Sequence, residues 1–449
     1  MASPDADGVP LAISRVVRPL HGDDELDQLI DLVSRSRIVL LGESTHGTRE
    51  FHELRAALTR KLIAQHGFCA LAIDADWPDV LPVDRYLRGM GDDDTAAAAL
   101  SCLERFPGWR WRNAELAGLV EWMHGYNHHR QSHEQVGCYG IDLYALHASS
   151  RAVLSFLAEV DPEAAVQTRA RYACFDHAAA HRGGLPAGCE DDVVEELVEM
   201  QRRRTARSGR APSGVAWFRA VQGTRIAQRA EAYYRALVAG AGSAWSLREC
   251  QLADTLDLLA AQLAVARPGV WPKIVVWAHN AHIADSREPG RRQTLGSVLR
   301  ERHPHEVATV GFTTYAGTVG CAHEWDGPPE IEVLRPAGAG SWEQAFHGTG
   351  VPRFMVTAAA LRRAVGELAE RPHREIGAVY RPGIERWNAE VPARLAERYD
   401  VIVHVDRTSA LEPLPPSIVE PRESPHELPH EVLVGAVPEA HSAAHSAAH

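Results

Sequence analysis

The chain has 449 residues, 45% of them hydrophobic, with 47 Lys plus Arg against 59 Asp plus Glu and a formal net charge of -12. That apolar content supports a large buried core, while an acidic balance with no long basic run argues against nucleic acid or a membrane surface as partner. Residues 1–20 mix Asp5, Asp7, Arg15 and Arg18 with short apolar pieces instead of a secretory core, and no later run is long enough to cross a bilayer, so a cytoplasmic location is expected. The seven cysteines include no C-x-x-C pair, which predicts reduced thiols and neither a disulfide framework nor a structural zinc site.

In chain order, residues 25–36 read as a short helix feeding a first strand at 38–42. That strand stops on Glu43-Ser44-Thr45-His46-Gly47. Phe51, Leu54, Leu58 and Leu62 then recur at helical spacing, which predicts a helix over 48–65 with Gly67 as its stop. Residues 70–73 form the second predicted strand, ending on Asp74, with Asp76 and Trp77 close behind. An aromatic segment at 106–113, carrying Trp109, Trp111 and Arg112, precedes an amphipathic helix at 115–126. The third strand, 136–141, runs into Asp142 and Tyr144.

From 148 to 267 the composition turns to Ala, Leu, Glu and Arg, the texture of a helical insertion. The sheet resumes at 274–277, followed by His279, Asn280 and His282. Further strands are predicted at 307–312, 353–356, 376–380 and 401–405, with a helix over 358–370. The expected fold is α/β: a largely parallel central sheet flanked by helices, with the insertion as a cap over the carboxyl ends of the strands. The domain reading is an N-terminal part of the catalytic domain at 1–147, the lid at 148–267, the C-terminal part at 268–411, and a disordered tail at 412–449, too poor in apolar side chains to pack.

Several motifs fail on physical grounds. Gly42 to Gly47 has the spacing of a phosphate loop, but Thr48-Arg49 replaces the Lys-Ser/Thr pair and Glu43 would repel a phosphate. His426-Glu427-Leu428-Pro429-His430 matches H-E-x-x-H, yet Pro429 breaks the helix that motif needs. No G-x-S-x-G elbow occurs. What remains is Glu43, His46, Asp74, Asp142, His279 and His282, each near the end of a predicted parallel strand, where ligands of open α/β sheets bind. An imidazole beside a carboxylate can take a proton from water, so this set reads as a water-activating site.

The pairing of Leu41-Gly42-Glu43-Ser44-Thr45-His46-Gly47 with Trp277-Ala278-His279-Asn280-Ala281-His282, together with Asp76-Trp77-Pro78 and Gly140-Ile141-Asp142-Leu143-Tyr144, resembles the erythromycin esterase family over about residues 38–411. The resemblance implies metal-independent hydrolysis of an ester, a macrolactone in the founding members. It makes His46 the general base, Glu43 its carboxylate partner and His279 a second essential histidine. Asp74 stands where the family usually has glutamate, one methylene shorter. Arg55, Trp77, Arg112, Asp142, Tyr144, Asn280 and His282 are the expected substrate contacts. The expected partner is a small-molecule ester, with no cofactor and no resident metal. Two other readings use the same residues: a metal-dependent hydrolase with His46, Glu43, Asp74 and His279 as ligands, and a binding protein for a small ligand or haem.

Overall fold

The computed structural model describes residues 8–91, 93–143, 243–286, 293–367, 369–385 and 389–414, with isolated positions between 154 and 233. The chain divides into two compact units. Met1–Ile73, Pro82–Cys138 and Leu263–Pro416 belong to the first, Asp74–Leu81 and Tyr139–Gln262 to the second.

The strands are β1 (Arg18–Pro19), β2 (Ile38–Leu41), β3 (Phe68–Asp76), β4 (Gly137–Asp142), β5 (Lys273–Trp277), β6 (Val307–Cys321), β7 (Glu330–Leu334), β8 (Arg353–Thr357), β9 (Arg371–Arg374), β10 (Glu390–Ala393) and β11 (Val401–Thr408). One mixed sheet runs β1-β8-β11-β6-β2-β5-β3-β4, with β7 added to β6, while β9 and β10 pair separately. Its middle is parallel: β2 pairs with β5 and β6, β5 with β3, and β6 with β11. Antiparallel pairing joins β1 to β8, β8 to β11 and β7 to β6.

All four side chains of β2 are buried, and so are Ile274 to Trp277 of β5. A strand with neighbours on both edges and cover on both faces has no solvent face to fill with polar residues, which is why both segments read as unbroken apolar runs. The helix Arg49–His66 buries Phe51, Leu54, Leu58 and Leu62 as their spacing predicts, and with them His52, Arg55 and Thr59. The Trp277 indole N–H donates to the Thr59 hydroxyl at 3.0 Å, tying this helix to β5.

The predicted strands at 38–42, 70–73, 136–141 and 274–277 lie in one sheet in the order β2-β5-β3-β4, and β2, β5 and β3 run parallel, with their carboxyl ends on the same side. Boundaries differ. β3 continues through Asp74 to Asp76, so those acids lie within a strand instead of after it. β6 is far longer than 307–312 because its second half pairs with β7. The predicted strand at 376–380 is replaced by isolated bridges at Ile376 and Val379, and the pairing moves to β9 and β10. Pro372 and Pro392 interrupt the apolar pattern there and hid those strands.

Most of the 148–267 insertion lies outside the described residues, and with it the expected cap; the described part ends in the helix Ser243–Ala266. At the other end of the chain, order persists beyond residue 411. The Leu411 N–H donates to Gly47 O and the Leu414 N–H to Arg112 O, and Leu411 is buried.

Candidate active site

The loop between β2 and the helix Arg49–His66 is laced to its surroundings on all sides. Asn280 N–H donates to Glu43 O at 2.8 Å, Ile376 N–H to Ser44 O at 2.7 Å, and both Gly320 and Leu411 N–H groups to Gly47 O at 2.9 Å. Its two glycines answer to crowding. A Cβ at Gly42 would overlap the Asn280 amide oxygen, and one at Gly47 the backbone of Gly320. The resemblance to a phosphate loop thus comes from close backbone approach.

At the centre is Glu43, fully buried. Arg55 donates from Nη2 to its Oε2 at 2.6 Å, and Arg110 from Nε to Oε1 at 2.7 Å. His46 donates from Nδ1 to Oε1 at 2.9 Å. Burial alone would raise the Glu43 carboxyl. The charges of Arg110 and Arg55 and the His46 bond outweigh it and hold the group well below the usual carboxylate range. Burial lowers His46 to about 4, with the Arg110 charge acting in the same direction and Glu43 offsetting only part of it.

His279 lies beside His46, with ring centroids 4.8 Å apart and planes at 67°. Burial, then the His46 ring, lowers it to about 3. His282 is buried in the same short helix, Asn280–Ile283, and its field also lowers His46 and His279. Asn280 is turned to the scaffold: its amide donates to Phe312 O at 2.8 Å and accepts from Phe312 N–H at 3.3 Å. Beneath it lies a second buried acid–histidine pair, with His373 Nδ1 and Glu343 Oε1 2.7 Å apart.

Two members of the cluster escaped the sequence reading. Arg110, not Arg112, reaches Glu43, because the short turn Gly108–Arg110 sends it inward and lays its guanidinium over Trp111 at 4.3 Å. Arg112 stays half-buried with no ion pair among the described residues. His52 is fully buried, its ring nitrogens 3.2 Å from Thr48 O and from Arg110 O, and burial followed by the Arg55 charge lowers it to about 3. The visible signal was helical spacing, since His52 and Arg55 share the inner face of one helix. Arg55 also stacks over Trp277 at 4.6 Å.

The remaining candidates fall in the second unit. Asp74 and Asp76 are buried on β3. Trp77 is buried and stacked on Tyr139, centroids 6.0 Å apart. Asp142 is gripped by Arg248, which donates from Nε at 3.0 Å and from Nη2 at 2.6 Å. Tyr144 lies outside the described residues.

Both Glu43 oxygens are engaged by guanidinium groups, so a divalent cation there would face two fixed positive charges. Among the described residues, the acid–histidine group close enough to share an ion is His323, Glu330 and Glu332, which includes no member of this cluster. No described helix is long and apolar enough to cross a membrane.

The chain matches the family model "Erythromycin esterase" over residues 63–408. That span includes His279 and begins after Glu43, His46 and Arg55. It is 23% identical over 376 residues to erythromycin esterase type II of Escherichia coli, covering 75% of this chain and 84% of that protein. A succinoglycan biosynthesis protein has a similar structure, with a TM-score of 0.72 at 20% identity, covering 92% of this chain and all of that one. A histidine-to-asparagine mutant of the erythromycin esterase EreC in its open conformation gives 0.63 at 19% identity, covering 87% and 96%. At these identities the solved structures speak to the fold. The family match, over most of the sequence, decides membership: this chain belongs to the erythromycin esterase family.

Proposed function

We propose that the protein hydrolyses a carboxylic ester, a macrolactone being one candidate, with water activated by His46 and no metal. The observation that carries this reading is the His46–Glu43 bond. With Nδ1–H given to Glu43, the neutral ring keeps its lone pair on Nε2, and the carboxylate fixes that tautomer. A base lowered to about 4 is unprotonated across the physiological range. It is also a weak base, so the water it assists needs help at the other end of the reaction.

The field of the arginines supplies that help. The Arg55 and Arg110 guanidiniums hold Glu43 beside the neutral histidines, and the Arg110 charge lowers His46. Such a field disfavours a resting imidazolium and favours the anionic tetrahedral intermediate of ester hydrolysis. The guanidiniums also oppose the metal-dependent alternative.

The test is hydrolysis of an ester panel that includes erythromycin, before and after exhaustive chelation. Activity should survive chelation, and His46→Ala should lower turnover about a hundredfold to ten-thousandfold with substrate affinity largely kept. Glu43→Gln should also be damaging and add little to His46→Ala, because the two groups act as a unit. Near-wild-type turnover in His46→Ala would refute the assignment.

A further inference from the structure

The two adjacent imidazoles carry opposite tautomers. His46 donates from Nδ1 to Glu43 and has its lone pair on Nε2. In His279, Nδ1 accepts the backbone N–H of Ala281 at 3.2 Å, so the proton of the neutral ring must sit on Nε2. That Nε2 is buried and has no hydrogen-bond partner among the described residues. A buried donor left unsatisfied is destabilising, which the fold tolerates where a ligand supplies the acceptor.

His279 therefore has no lone pair to offer water: one nitrogen accepts from the backbone and the other bears hydrogen. We propose that His279 Nε2–H donates a hydrogen bond to the carbonyl oxygen of the bound ester and to the oxyanion that oxygen becomes, while His46 alone moves the proton. The assignment rests on the ester-hydrolase reading above. Water oxygen adds to the carbonyl carbon as His46 Nε2 takes one water proton, and the carbonyl π pair becomes the oxyanion held by His279. The oxyanion then re-forms the carbonyl, the ester C–O bond breaks, and the leaving alkoxide takes the proton back from His46. His279 keeps its own proton throughout. Its burial, which opposes a charged ring, suits a neutral donor.

Replacement by glutamine and by alanine tests this, since a glutamine amide can present an N–H near the position of Nε2. The probes are erythromycin and p-nitrophenyl butyrate. On whichever the wild type cleaves, His279→Ala should lower kcat by about a hundredfold to a thousandfold with KM changed by less than about threefold. His279→Gln should regain at least about tenfold of that loss and keep the acidic limb of the pH profile, because the base is still present. Affinity for a phosphonate analogue of the cleaved ester should fall with kcat/KM. Loss of the acidic limb in His279→Gln, or a loss confined to KM, would overturn the proposal.

A second readout needs no turnover. With 15N-labelled histidine rings, the signals that vanish in His279→Gln should show a protonated Nε2 and an unprotonated Nδ1. The reverse pattern overturns the inference even if esters are cleaved. Conversely, cleavage of no ester by the wild type removes the esterase reading and the carbonyl role with it, while the tautomer stands or falls on the spectra.

Discussion

Arg110→Gln isolates the electrostatics of the cluster. Arg110 and His46 bind the same oxygen of Glu43, at 2.6 Å and 2.9 Å, so guanidinium and imidazole nitrogens are at most about 5.5 Å apart. At an effective dielectric of about 20, that separation corresponds to about 3 kcal/mol, or about two pKa units on His46. Removing a neighbouring positive charge eases protonation, so His46 should rise from about 4 towards about 6. The assay is kcat/KM against pH on a cleaved ester, which reports the free enzyme's base. The wild type should hold its rate to about pH 5, and the variant should fall to half near about pH 6. Arg112→Gln is the control and should leave the limb in place. An acidic limb that does not move in Arg110→Gln, or moves to lower pH, would refute the reasoning.

If Asp74 serves the role that the family resemblance implies for a glutamate, Asp74→Glu should preserve or raise ester hydrolysis, whereas Asp74→Asn should lose it; equal rates in all three proteins would remove Asp74 from the chemistry. Acid should destabilise the fold well before its carboxylates titrate, because His46, His52 and His279 are all lowered in the folded state. The unfolded chain then binds protons that the folded one refuses, so stability falls as pH drops below about 6.5, by about 1.4 kcal/mol per histidine per unit until the folded value is reached. Denaturant titrations at several pH values should show this slope, and His52→Asn should reduce it by about one proton; an unchanged slope would contradict the buried neutral ring. Ending the chain after Leu414 keeps the Leu411 and Leu414 bonds to Gly47 and Arg112 and should leave the melting temperature unchanged. Ending it before Ala410 removes a buried Leu411 and its bond to Gly47, a loss of about 2 kcal/mol or more that the same measurement would detect.

The strand–loop–helix unit around Glu43 and His46 was legible from the sequence alone. Ile38 to Leu41 are apolar because both faces of β2 are buried, and the following helix announces its inner face through Phe51, Leu54, Leu58 and Leu62. The convergence of His279 on His46 was legible too, since two apolar strands ending on polar residues in a parallel sheet bring those ends together. What the sequence could not supply was direction at close range. Nothing in Trp109-Arg110-Trp111-Arg112 says which arginine turns inward; that depends on a three-residue turn set by tertiary packing. His52 has the same helical phase as its apolar neighbours, so periodicity counts it as core and is silent on the Thr48 and Arg110 carbonyls that flank its ring nitrogens. The tautomers of His46 and His279 lie furthest from the sequence. They follow from which neighbour, a carboxylate in one case and a backbone N–H in the other, comes within hydrogen-bond distance of Nδ1, and only the folded backbone brings those neighbours there.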